Sequence, residues 1–259
     1  MKGKKTAMLF LSLLMVWSLF GSCPAAEKTF SHDFLEANRA YEAGEWQQAI
    51  QLYEELKDHA GLSASLCYNL GNSYVRNGQI GKAVLEYERA LLLAPGDTDI
   101  RTNLERLRTA RGIFQQEVPW WQKMGGLLGL NQWALLAVIL LMGLLLLHLA
   151  TLRFTLSARI VYSLSAASLL LLLLCSGGVA IQYRNWQQAV IISPDNTPLL
   201  ISPFDGAAST GLIEEGCLIR IIKGHNSYAL IEDGQGRRGW IPGASFESIA
   251  TTMANKKNL

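Results

Sequence analysis

At 259 residues and a formal net charge of +2, the chain has too little positive charge to argue for nucleic acid, and no basic patch is interleaved with aromatics as such a surface requires. Half of it is hydrophobic, but the apolar residues pile up at 7–20, 133–152 and 160–182, which excludes a single soluble core and leaves each remaining piece to fold around its own. Four cysteines in an exported chain invite a disulfide count, yet Cys23 falls in the leader, Cys67 on a helix face expected to be buried, Cys175 in an apolar span and Cys217 in a separate downstream domain, so no pairing is expected.

The N-terminus has the layout of a secretory signal over 1–26: Lys2, Lys4 and Lys5, then an apolar stretch from Ala7 to Phe20, then "GSCPAA". That stretch is too short for an ordinary membrane span. Cleavage near Ala25 or Ala26, lipidation at Cys23, and retention as an anchor are the three readings, and all give the same topology.

Residues 37–56, "ANRAYEAGEWQQAIQLYEEL", align with 71–90, "GNSYVRNGQIGKAVLEYERA", at an offset of 34, matching Asn38 with Asn72, Gly44 with Gly78, Ala49 with Ala83 and Tyr53 with Tyr87. Gly71 and Ala83 are small where two antiparallel helices must approach closely, and Tyr74 and Tyr87 fill the space between them. Gly44 and Gly78 suit the positive φ that ends a helix. Pro95 stops the second helix, and Asp97 or Thr98 can cap a third, "DIRTNLERLRTARGIF". There Asn103 and Leu104 repeat Asn69 and Leu70 at the same offset. The period and pattern resemble the tetratricopeptide repeat, which predicts two repeats plus a capping helix over 27–112.

In that fold the first helices line a concave groove. Asn38, Asn72 and Arg106 recur at one groove-facing position, and Tyr41, Tyr68 and Arg76 accompany them, so a partner's peptide is the expected ligand. A cation flanked by amides can hold a carboxylate or a backbone. Asparagine is also simply the usual residue at this position of such repeats.

A juxtamembrane segment, 113–132, leads into the apolar runs. Residues 133–152 span about 30 Å as a helix at ~1.5 Å per residue, which matches a hydrocarbon core. Residues 160–182 carry no charge and form a second span. The loop between them, 153–159, holds Arg153 and Arg159 and no acid, which places it in the cytoplasm by the positive-inside rule. Both flanking domains then stand outside the cytoplasm. Trp120, Trp121, Trp133, Tyr183 and Trp186 suit the aromatic belts at the interfaces, and His148 lies close enough to one to snorkel. Ser163, Ser165, Ala166, Ala167 and Ser168 give the second span a small-residue face for packing.

Beyond Arg184 five short β segments follow, "AVII", "PLLI", "CLIRII", "YALIE" and "RGWIP", divided by turn residues. The spacing predicts a small barrel over 187–250, before a tail of 251–259. Gly239-Trp240-Ile241 after a polar hairpin resembles the closing signature of bacterial SH3-like domains. The resemblance implies a ligand surface, for which Tyr228 and Trp240 are the aromatic candidates, and ligands among proteins or cell-wall peptides.

No nucleophile–base pair, paired carboxylates, phosphate loop or metal-ligand spacing appears in the sequence, so a non-catalytic protein without cofactors is expected. The expected architecture is a multidomain membrane protein: an all-α repeat solenoid, two transmembrane helices and a C-terminal all-β SH3-like barrel. This order resembles the BatE proteins of bacterial aerotolerance operons. That resemblance implies a place in the bacterial inner membrane with both soluble domains on the periplasmic side, and partners among the other products of such operons, notably membrane proteins with von Willebrand factor A domains; peptidoglycan is the other partner considered, and the lipid bilayer the setting.

Overall fold

The computed structural model describes residues 24–113, 120, 125–154 and 157–250. The expected signal up to Cys23, Trp121, the side chain of Trp186 and the tail lie outside the described residues. The chain divides into two compact units, Met1–Gly61 and Leu62–Leu259.

The first unit is a helical hairpin of α1 (Pro24–Glu42) and α2 (Trp46–Ala60). Gly44, at φ 80°, makes the turn, and Glu45 N–H returns to the Ala40 carbonyl at 2.9 Å. Ala37, Ala40, Ala49, Ile50, Tyr53 and Leu56 close the interface, small residues facing large ones.

The second unit opens with the same motif one period later: α3 (Ala64–Arg76) and α4 (Ile80–Leu93). Gly78 has φ 78°, and Gln79 N–H returns to the Tyr74 carbonyl at 2.9 Å, so the turn repeats bond for bond. Ser63 caps α3 by accepting from Leu66 N–H. A Cβ on Gly71 would stand 2.9 Å from the Tyr87 ring, which is why α3 and α4 can cross only at a glycine. Helix α5 (Thr98–Arg111) follows, capped by the Asp97 carboxylate and ended by Gly112 at φ 68°.

Helices α6 (Leu130–Thr151) and α7 (Ala158–Trp186) are both long and apolar enough to cross a membrane, and each extends a few residues beyond the run expected from sequence. Many of their leucines point outward: Leu135, Leu146, Leu170 and Leu173 are all exposed. Near one end of the pair, a Cβ on Gly178 would lie 2.5 Å from the Trp133 ring, while Gln182 Nε2 donates to the Leu128 carbonyl at 2.6 Å. Trp133 thus packs on α7 and spends its indole N–H on the Gly125 carbonyl. Ser163 returns its hydroxyl to Ile160 of its own helix, and His148 bonds the Leu144 carbonyl.

The C-terminal part is an antiparallel sheet of seven strands: β1 (Gln188–Ile191), β2 (Thr197–Leu200), β3 (Ser209–Ile213), β4 (Leu218–His225), β5 (Tyr228–Asp233), β6 (Arg238–Pro242) and β7 (Phe246–Ser248). Its order, β3-β2-β6-β5-β4-β1-β7, corrects the expectation of a five-stranded barrel: the sheet is open, with β3 and β7 as edges. The five strands read from sequence are present. Those missed are β3, "STGLI", whose exposed polar half carries no apolar alternation, and β7, only three residues long. Ala189 and Ile191 share one buried cluster with Leu199, Ile213, Ile231 and Ile241. A flat sheet would hold β1 and β2 roughly 19 Å apart, four strand spacings, so the sheet curls around its own core.

Helix α4 also packs on this sheet. Nine of its residues are buried, more than one apolar stripe requires, because α3 covers one side and β1 and β7 the other. Gly81 lies so close to β1 that a Cβ there would meet the Ile191 carbonyl oxygen at 2.5 Å. Glu215 accepts from Gly81 N–H at 2.6 Å, capping α4 from the β3–β4 turn. Arg89 donates to Glu86, to Glu247 and to the Ser248 and Ile249 carbonyls, which covers the outer side of edge strand β7.

Candidate functional site

The candidate repeat residues lie on α1 in the first unit and on α3 and α5 in the second. In the first unit Tyr53 Oη donates to the Asn38 carbonyl oxygen, and Tyr41 stacks edge-on against Trp46, ring centres 5.0 Å apart. In the second unit Tyr87 Oη donates to the Asn72 carbonyl oxygen at 2.6 Å. The recurrence of Asn38 and Asn72 therefore has a structural cause: each asparagine fastens the first helix of its repeat to the tyrosine of the second. What each can offer a ligand is what remains of its amide beyond that bond.

Tyr68 accepts from Asn103 Nδ2 at 2.7 Å and lies against Tyr87, ring centres 6.0 Å apart, so α3 and α5 are linked beside Asn72. Arg76 stands exposed in the last turn of α3, and Arg106 exposed on α5. Arg108, two residues on, is different: it is largely buried and ion-paired with Glu88 of α4. In the second unit the surface around Asn72, Tyr68, Asn103 and Arg106 combines amides, a phenol and a cation, the set that can bond a peptide backbone or a carboxylate.

A second surface lies on the outer face of the sheet. Along β5 burial alternates, with Ala229, Ile231 and Asp233 inward and Tyr228, Leu230 and Glu232 outward. Tyr228 pairs with Pro242 and Leu230 with Trp240, so Tyr228 and Trp240 share that outer face. His225 pairs with Tyr228 and meets the Trp240 ring edge-on at 6.1 Å. The Tyr228 hydroxyl donates to Asp205, and this bond holds its pKa above the usual tyrosine value. Further along the face Arg238 and Arg220 both bind Glu232, and the Arg238 bond is the main reason its carboxyl sits below the usual range.

The docking cluster of Arg89, Glu86, Glu247, Glu215 and Gly81 was not among the residues sequence singled out. Its one sequence signal is α4 itself, where Ile80, Val84, Leu85, Leu91, Leu92 and Leu93 spread round the helix and demand two partners. Burial opposes the Arg89 charge, but Glu86 and Glu247 outweigh it and raise its pKa. Burial raises the Cys217 thiol pKa, and among the described residues Cys67, Cys175 and Cys217 form no disulfide. Among the described residues no group of three acidic, histidine or cysteine side chains could hold a metal ion.

The sequence model of the tetratricopeptide repeat family matches residues 64–97, which are α3, α4 and the turn after them. No curated protein matches the chain. The chain carries a tetratricopeptide repeat, a module whose general work is to bind other proteins.

Proposed function

We propose that this protein is a non-catalytic membrane scaffold that holds other exported proteins through its repeats. The observation that carries this reading is the repeat at 64–97 with its exposed, polar α3–α5 surface, on a chain with two apolar helices. The bond between Arg89, before α6, and Glu247, after α7, supports placing both soluble parts on one side of the bilayer, because a contact across a membrane is impossible. The arginines of the 153–159 loop support the extracytoplasmic side for both.

The order of repeat, apolar helix pair and β domain supports a place in a Bat-type aerotolerance system, with von Willebrand factor A domain membrane proteins as the partners. The β domain is read as SH3-like from Gly239-Trp240-Ile241, although its sheet is open. Cross-linking in intact cells with the tagged full chain, followed by identification of the proteins captured, tests the scaffold. Capture of exported or membrane proteins, reduced by Arg106→Ala, is the expected result; capture that ignores this substitution would remove the repeat surface from the account.

The alternative is a cell-wall sensor, favoured by the shared outer face of Tyr228, Trp240 and His225. Sedimentation of the full chain with peptidoglycan separates the two. Saturable binding lost in Trp240→Ala favours the sensor, and no binding favours the scaffold.

A further inference from the structure

The register of the sheet fixes which of its ends faces the apolar helices. β1 starts at Gln188, just after α7 ends at Trp186, so Gln188 is the end of β1 that is joined to α7. α4 lies along β1 and β7 in the opposite sense, with Gly81 against Ile191 and Ile192, and Arg89 against Ser248 and Ile249. Past α4 the chain reaches Pro95, whose ring lies 4.0 Å from where a Cβ on Gly129 would be, and Gly129 is the residue before α6. Both paths put the apolar helices beyond the Gln188 end of β1.

From Arg89 to Pro95 the chain advances about 9 Å at helical rise. β4 pairs Arg220 with Gln188 and then continues to His225 in the same direction, about 16 Å at strand rise. The β4–β5 hairpin thus extends past Gln188 toward the side from which α6 and α7 continue, with a register shift between Ile221 and Lys223 on the way. Its tip carries Ile222, 45% exposed, with Lys223 and His225 also exposed, and Tyr228, Pro242 and Trp240 alongside.

We propose that this hairpin tip rests on the bilayer that α6 and α7 cross, so that the face of Tyr228 and Trp240 is a phospholipid-contacting surface. The inference rests on reading α6 and α7 as membrane spans. Tyrosine and tryptophan rings favour the headgroup layer, being apolar with one polar tip. Ile222 removes apolar area from water there, and Lys223 lies along the surface with its ammonium at the lipid phosphates. Continuity with the spans makes lipid the occupant: a peptide on this face would have to enter between the hairpin and the headgroups.

The full chain, reconstituted in phosphatidylglycerol–phosphatidylcholine vesicles, tests this with p-benzoylphenylalanine placed singly at 145, 223 or 235. Leu145 lies in the middle of α6, and Gln235 is exposed in the turn at the opposite end of β5. After irradiation, phospholipid adducts at 145 and 223 but not at 235 are expected. Adducts at 145 without any at 223, or equal adducts at 223 and 235, would overturn the hairpin contact. Loss of adducts at 145 would overturn the span reading, and the inference with it.

Discussion

Arg89 and Glu247, 158 residues apart in the chain, share a charge-assisted hydrogen bond of 2.7 Å. The two ends differ in setting: the side chains of Arg89 and Glu86 are each 2% exposed, while that of Glu247 is 47% exposed. Arg89→Met leaves Glu86 buried without this cation, a loss of about 3–5 kcal/mol by analogy with broken buried pairs. Glu247→Gln should cost no more than about 1 kcal/mol, as for a half-exposed pair. Thermal melting of the full chain, with hydrogen exchange over 246–249, checks both. Equal effects from the two substitutions would contradict this assignment.

Within the second repeat, Gly71→Leu forces a branched side chain into the Tyr87 ring and should destabilise the helices by about 1–3 kcal/mol. Tyr87→Phe keeps the ring and removes the hydroxyl that bonds Asn72, for about 0.5–1.5 kcal/mol. Helicity and melting followed by circular dichroism should rank the leucine variant as the more severe.

Arg106→Ala should weaken capture of a partner by about tenfold or more, since a hydrogen bond to a charged group is worth about 1.5–3 kcal/mol. The fold should survive, because Arg106 is exposed. Arg111→Ala is the matching control, being an exposed cation on the same helix. Arg108→Ala is not one: it breaks the pair with Glu88 and should lower stability as well. Partner titrations beside melting curves separate the three, and equal losses at Arg106 and Arg111 would reduce the surface to a general charge effect.

The Glu232 carboxyl titrates below its ordinary value, chiefly through Arg238 and then Arg220. A depressed carboxyl stabilises the fold above its unfolded pKa of about 4.3, and that contribution fades as pH falls through the lower folded value. Glu232→Gln should therefore melt below the natural protein at neutral pH, with the gap closing in acid. A gap independent of pH would mean that the ion pairs with both arginines contribute nothing.

Much of this architecture is legible in the sequence, for reasons tied to particular residues. Gly71, Gly78 and Tyr87 occupy positions where the helical hairpin admits few alternatives, and the two helices long enough to cross a membrane announce themselves by unbroken apolar length. The edge strand Ser209–Ile213 is held to β2 by main-chain pairing and by the Ser209 and Thr210 hydroxyls on the Leu199 carbonyl, and Ile213 is its one buried side chain, so no apolar alternation marks it. The docking of α4 on β1 and β7 is a long-range match of a guanidinium to a strand edge, and no local pattern encodes it. Asn38 and Asn72 were legible as a repeat but not as bonds: the periodicity gives their position, and only the structure shows the tyrosine hydroxyls that each one accepts.

In the proposed topology two soluble parts, joined by the Arg89–Glu247 contact, stand together outside the cytoplasm with a short loop inside. Alkaline phosphatase fused after Arg111, within the loop between Arg153 and Arg159, or after Leu259 measures it directly. Activity at the first and third sites with none at the second is the predicted result. Activity in the loop with inactive fusions at both flanks would invert the orientation, and activity at only one flank would contradict the shared side itself.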